Sequence, residues 1–353
     1  MKIQRAALAM IVVILTFYVL HRGQALLLPP VIAGAIAYVI GILAHGITAL
    51  KFRGWCVPKP LAMFVAISVI LAGIGLVINL ITVNVTAVAN VAPQYQENLE
   101  ALIDKGYRAA GIEDVPNLKE IITQGDLRRY LQNFGRTVSS LASSTGIIIV
   151  YLIFMLLEQR TFANKIKAII QDRKKQKDAF KLIDKMRADI RTYVAIKLVT
   201  SATTGILSFF VLNMVGVDFA SFWAVLIFLL NFIPTIGSII ATAFPSMLTL
   251  VQFDTLGPFI ITVTILSAIQ FAIGSLIEPR LMGRRLNLSP IVILLSLGLW
   301  GSVWGIPGMF LCVPITVIIM IICSYFPNTR PLAVLLSGDG QVPHQSPADA
   351  VDG

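Results

Sequence analysis

Apolar residues in this chain fall in long blocks separated by short polar loops, without the alternation of half-buried strands. A helix that crosses a bilayer needs about 20 mostly apolar residues. Residues 25–50, 61–83, 193–215 and 256–276 each meet that length and predict one spanning helix apiece. Residues 6–20 form a shorter block that relies on its flanks, and 138–157 is serine-rich at its start and apolar from Gly146.

Two further blocks are too long for a single crossing. Residues 219–250 and 290–323 hold 32 and 34 residues. As straight helices they extend about 48 and 51 Å, against a hydrocarbon core of about 30 Å. Both carry helix breakers near the middle: Asn231, Pro234 and Gly237 in the first, Gly298, Gly301, Gly305, Pro307 and Gly308 in the second. Two readings fit, a pair of re-entrant helical hairpins or a pair of kinked, tilted spans.

The fold class is therefore an all-α polytopic membrane protein with about eight hydrophobic segments. Its organisation reads as N-terminal transmembrane segments over 1–83, an extracytoplasmic amphipathic arm over 84–137 and a transmembrane segment over 138–157. A basic cytoplasmic helical segment follows over 158–191, then a C-terminal transport core over 192–325 and a disordered cytoplasmic tail over 326–353. The arm holds six Lys/Arg and seven Asp/Glu, whereas 158–191 holds eleven Lys/Arg against five Asp/Glu. The spacing of Ile166, Ile169, Ile170, Phe180 and Ile183 predicts two helices in the basic segment.

Composition sharpens this picture. The chain is 57% hydrophobic and 13% charged, where soluble domains carry about a quarter charged residues. Its net charge of +10 is concentrated in short loops, the signature of membrane topology rather than of a nucleic-acid-binding face. Lys2 and Arg5 place the N-terminus inside, ahead of an uncleaved signal anchor. Lys51, Arg53 and Lys59 place the second loop inside, so 84–137 falls outside and 158–191 inside. Arg280, Arg284 and Arg285 fall inside only if 219–250 turns back on itself. The charge pattern thus favours hairpins, which put the C-terminus in the cytoplasm and make the C-terminal half an inverted repeat, the architecture of many secondary transporters. A faint echo accompanies this: Asp218 to Pro245 and Asn287 to Pro314 both span 27 positions.

The candidate chemistry is sparse. Cys56, Cys312 and Cys323 show no paired spacing, the three histidines are scattered, and no nucleophile elbow, Walker loop or zinc motif is present. No catalytic residue, metal site or cofactor is predicted. Asn231, Pro234 and Gly237 suit either a polar ligand or merely a tight hairpin tip. Gly305, Pro307 and Gly308 suit close backbone approach or small-residue helix packing. Glu278 is an acid near the membrane, placed to bind a proton or cation or to pair with Arg280, Arg284 or Arg285. Gln270 and Lys197 lie within spans, Gln270 facing a cavity and Lys197 either doing so or snorkelling to the edge. The basic segment 158–191 is expected to face anionic lipid headgroups.

The run Asn231-Phe232-Ile233-Pro234 with Gly237, then Glu278-Pro279-Arg280-Leu281-Met282-Gly283, Leu288-Ser289-Pro290 and Gly305 through Pro314 resembles the autoinducer-2 exporter family in order and spacing. Thr235 and Ser238 depart from that pattern, where an aromatic and a proline are expected. The resemblance covers nearly the whole chain. It implies a bacterial inner-membrane exporter of autoinducer-2, a small polar quorum-sensing signal, assembling as a homo-oligomer, pentamers included. Under that reading the substrate is handled between the two hairpin tips, by Asn231, Pro234, Gly237, Gly305, Pro307 and Gly308, with Gln270 and Glu278 nearby. The alternatives are a sodium–proton antiporter working through Glu278 and a non-transporting membrane scaffold.

Overall fold

The computed structural model describes residues 2–49, 51–52, 55–109, 145–283 and 287–341. Much of the expected arm (110–137), the start of the fourth segment (138–144), Arg284, Arg285 and the end of the tail (342–353) lie outside these residues.

The described chain is helical apart from a two-residue strand pair, Lys51–Phe52 with Trp55–Cys56, in the second loop. The helices are α1 (Lys2–Arg22), α2 (Gln24–Ala49), α3 (Lys59–Ala109), α4 (Thr145–Ile169), α5 (Arg173–Val215), α6 (Ala220–Leu230) and α7 (Ile236–Gln252). They are followed by α8 (Gly257–Met282), α9 (Pro290–Tyr325) and α10 (Arg330–Leu336). By length and composition α2, the Lys59–Asn84 part of α3, α5, α8 and α9 are apolar enough to cross a membrane. With α1, α4 and the α6–α7 pair they make up the eight hydrophobic segments read from the sequence. Phe64, Phe154, Phe210 and Met214 stand exposed on these helices, as side chains that face lipid do.

The chain divides into two compact units. One comprises Met1–Ala66, Gly146–Ile196 and Leu281–Gly353, the other Ile67–Thr145 and Lys197–Arg280. In the second unit α7 packs against both α6 and α8. Its apolar core joins Ile81 of α3 and Leu212 of α5 to Phe222, Trp223 and Ile227 of α6, Ala241 of α7 and Leu266 of α8. In the first unit α1, α2 and α9 pack against one another, and α10 lies along α9.

Both long apolar blocks turn back on themselves. Between α6 and α7 the chain reverses so tightly that a Cβ on Gly237 would lie 1.8 Å from the Leu230 carbonyl oxygen. Seven residues along a straight helix span about 10 Å. Within α9 the reversal falls at Gly305, whose φ of 62° and ψ of −141° leave the helical region. Gly308 then sits where a Cβ would lie 1.9 Å from the Trp300 carbonyl oxygen. Only glycine fits at either position, because the obstructing atom is backbone and cannot swing away. These contacts exclude the kinked-span alternative.

Three boundaries differ from the sequence reading. Helix α3 runs through residue 84 without a break, because the amphipathic pattern that follows the apolar block continues the same helix to Ala109. The two helices expected within 158–191 are the end of α4 and the start of α5, which meet at residues 170–172. There the Asp172 carboxylate accepts from the Lys174 and Lys175 backbone N–H groups, which hold its pKa below the usual range. The tail predicted to be disordered is ordered as far as Gln341. Arg330–Leu336 is an apolar helix with proline in its first turn and a fully buried Ala333. Gly338 donates to the Asn287 carbonyl at 2.9 Å and Ser289 to the Leu336 carbonyl at 3.0 Å, which ties this helix to the chain ahead of α9.

Candidate functional site: a buried polar cluster around Glu278

One face of α5 is polar in the middle of an apolar helix. Lys197, Thr200, Ser201, Thr204 and Ser208 recur at three- and four-residue spacing and are all buried. The Lys197 ammonium donates to Glu278 Oε1 at 2.7 Å, and the two side chains are only 9% and 13% exposed. Thr200 Oγ1 donates to the other carboxylate oxygen at 3.2 Å. The next residue, Ser201, accepts from Asn231 Nδ2 at 3.0 Å through its hydroxyl oxygen. Thr200 and Ser201 therefore link the acid on α8 to the amide at the first hairpin tip.

Local structure sets each member in place. The α-helical part of α8 ends at Gln270, and Phe271–Ile277 forms wider π-helical turns. These turns change the face that Glu278 presents relative to a continuous α-helix, and such segments are common at functional sites. Asn231 follows the last turn of α6 and is 3% exposed. Beyond it Ile236 donates to the Pro234 carbonyl at 2.6 Å, closing a three-residue turn around Thr235. Thr235 has a φ of 60° and a ψ of −62°, a strained conformation for a β-branched residue.

Two further buried acceptors belong to the same unit. Gln270 Oε1 and Thr262 Oγ1 have no hydrogen-bond partner among the described residues. Buried polar atoms are normally satisfied, so both mark places where a water or a polar solute gains a bond on arrival.

Among the residues singled out from the sequence, Asn231 and Glu278 belong to one network. Pro234 and Gly237 shape its hairpin tip, and Gln270 stands two turns before Glu278 on α8. Gly305, Pro307 and Gly308 lie in the other unit and form a tip of their own. There Trp304 Nε1 donates to the Leu20 carbonyl at 3.2 Å, the His21 ring meets the Val303 carbonyl at 3.2 Å, and Trp300 packs on Trp304 and Phe17. Of the partners considered for Glu278, Arg280 makes no ion pair with it, and Arg284 and Arg285 lie outside the described residues. The partner of Glu278 among the described residues is Lys197, one face of α5 away, and Lys197 is an ion-pair partner rather than a snorkelling cation. The sequence reading singled out Lys197 but missed Thr200 and Ser201, which a polar stripe at helical spacing within the apolar run could have revealed. That signal identifies a face but not what the face meets.

Several apolar spans, two helical hairpins and, within the second unit, a buried charged pair define a multi-pass membrane protein. The chain belongs to the AI-2E transporter family, whose profile matches residues 8–328. It is 31% identical over 306 residues to a protein of Borreliella burgdorferi named as a transport protein, covering 86% of this chain and 83% of that one. It is 28% identical over 334 residues to the AI-2 transport protein TqsA of Escherichia coli, covering 94% of each chain. A Haemophilus influenzae protein, also named as a transport protein, is 36% identical over 225 residues, 62% of each chain.

Proposed function

We propose that the protein exports autoinducer-2 or a similar small polar metabolite across the bacterial inner membrane, without covalent chemistry on its substrate. Family membership supports transport, and the Lys197–Glu278–Thr200 network joined to Ser201 and Asn231 carries the choice of site. An uncharged, hydroxyl-rich solute finds donors in Asn231, Thr200 and Ser201 and acceptors in Gln270 and Glu278. Glycines and Pro234 keep the tip backbone close to that route. The charge pattern supports cytoplasmic N- and C-termini, and the family resemblance supports a homo-oligomer. In that setting the basic 158–191 segment lies against anionic headgroups.

One observation favours a second reading, a cation–proton antiporter. A carboxylate held by an ammonium within a membrane is costly and is retained where it works. A sodium ion competing with Lys197 for Glu278, and releasing a proton from one of them, links the two fluxes. The scaffold reading draws no support from the family.

The test is flux in proteoliposomes of the purified protein. One set is loaded with autoinducer-2 and a parallel set reports sodium–proton exchange. Signal efflux that drops at least tenfold in Asn231→Ala and Glu278→Gln supports the exporter. Sodium-driven proton movement without signal efflux replaces it with the antiporter, and silence of correctly folded protein in both assays removes both.

A further inference from the structure

Away from the polar cluster, in the first unit, α2, α4 and α5 enclose an open cavity of about 470 Å³. Its α2 wall is apolar apart from Tyr38, while Gln159 of α4 and Asp184, Arg187 and Arg191 of α5 supply the polar wall. The Tyr38 hydroxyl donates to the Arg187 carbonyl and ties α2 to α5. Arg187 and Arg191 stand four residues apart, so their guanidinium groups leave one face of the helix. Asp184 approaches Arg187 only at 3.8 Å, the outer limit of an ion pair, and both side chains are exposed. No carboxylate among the described residues lies within ion-pair distance of Arg191. Asp184 and Asp189, whose charge also reaches Tyr38, offset part of the arginine charge, and the loosely held guanidinium groups keep donors for an incoming anion.

The location narrows that anion. Arg191 lies two residues before the apolar run of α5 that starts at Tyr193. The charge pattern sets this boundary at the cytoplasmic face, the depth of lipid phosphates. Planar guanidinium forks match phosphate oxygens in pairs. The α2 wall is apolar at Ala37, Gly41 and Ile42, and a Cβ added at Gly41 would meet nothing within 4 Å. A phosphate with a hydrocarbon body fits both halves of this wall.

We propose that the cavity is a discrete binding site for the phosphate of an anionic phospholipid, clasped by Arg187 and Arg191, with its glycerol and acyl chains lying along α2 over Gly41. The site is independent of the transport route and of which substrate that route carries. It is also more specific than a basic surface attracted to a charged membrane.

The test is retention of phosphatidylglycerol by the full-length protein in detergent, followed by native mass spectrometry across a lipid titration. Arg187→Gln and Arg191→Gln are expected to weaken retention about tenfold each. Lys177→Gln and Lys181→Gln, on the same basic segment but outside the cavity, are expected to change it less than twofold. Gly41→Leu fills the cavity with every charge kept and is expected to match the arginine variants, its thermal unfolding being checked alongside. Equal losses from lysine and arginine variants would overturn the proposal in favour of diffuse attraction. Full retention in folded Gly41→Leu would overturn it as well. Displacement of phosphatidylglycerol by millimolar inorganic phosphate would reassign the site to a free anion. If Gly41→Leu does not fold, the arginine–lysine contrast decides.

Discussion

The two helical hairpins use one steric device and two kinds of anchor. In each, a buried glycine lies against a backbone carbonyl seven or eight residues earlier, Gly237 on Leu230 and Gly308 on Trp300. In each, the turn also needs a residue with positive φ, Thr235 at 60° in the first and Gly305 at 62° in the second. The first tip is then held by a polar bond from Asn231 to Ser201 and leads into the network around Glu278. The second is held by aromatic packing and by Trp304 donating to the end of α1. Close packing thus dictates the glycines in both arms, while the polar residues gather around one arm only. Gly305 and Gly308 are each required by the backbone of their hairpin, a role that by itself assigns them no part in a substrate route.

The strongest way to break the comparison is to add one methyl group at each tip. Gly237→Ala and Gly308→Ala should both prevent the reversal, at or above the ~1–3 kcal/mol of ordinary overpacking, because backbone is the atom met. Monodisperse protein on detergent size-exclusion chromatography should be lost in both, and survival of either would show that the arms are not sterically equivalent. The next effect separates them. Glu278→Gln leaves the Lys197 ammonium buried without its counter-charge, a loss of about 3–5 kcal/mol. The double variant Lys197→Met/Glu278→Leu should recover thermal stability while flux stays at background, which distinguishes a working pair from a structural one.

Smaller changes probe the anchors. Asn231→Ala should cost ~1–3 kcal/mol and flux together, and Trp304→Phe about 1 kcal/mol with flux kept. Equal flux loss in the two would place both tips on the route. Thr235→Gly relieves the strained turn and should raise stability by about 1 kcal/mol, read as an upward shift in melting temperature.

The smallest effect lies elsewhere in the second unit. There Tyr95, on the extension of α3, donates to Asp218 at 2.7 Å. Burial first, and then the Asp218 hydrogen bond and charge, push the Tyr95 phenol above its ordinary value. A raised phenol favours the neutral form in the folded state. Its contribution is fully present below the unfolded phenol value near 10 and is lost as pH climbs through the folded value. Protection of α3 from limited proteolysis should fall under strongly alkaline conditions, and Tyr95→Phe should remove that added pH dependence.

The number of apolar segments and the hairpin positions were legible because each is written locally. Block length sets a span, and Pro and Gly set a reversal. The polar stripe from Lys197 to Ser208 was equally present, as spacing on one helix. What it faces was not, because Glu278 lies 81 positions away and its direction depends on the π-helical turns before it. The arginines nearby in sequence were the obvious partners for that acid. Tertiary packing brought Lys197 to it among the described residues, through a register shift that no local pattern encodes. The same holds for the tail, which composition reads as disorder and which the edge leading into α9 captures as a helix. Sequence by itself determined which residues must leave water and where the chain must bend. Only the folded structure decided which buried polar groups meet, because those bonds join residues far apart along the chain and hold only where packing excludes every other partner.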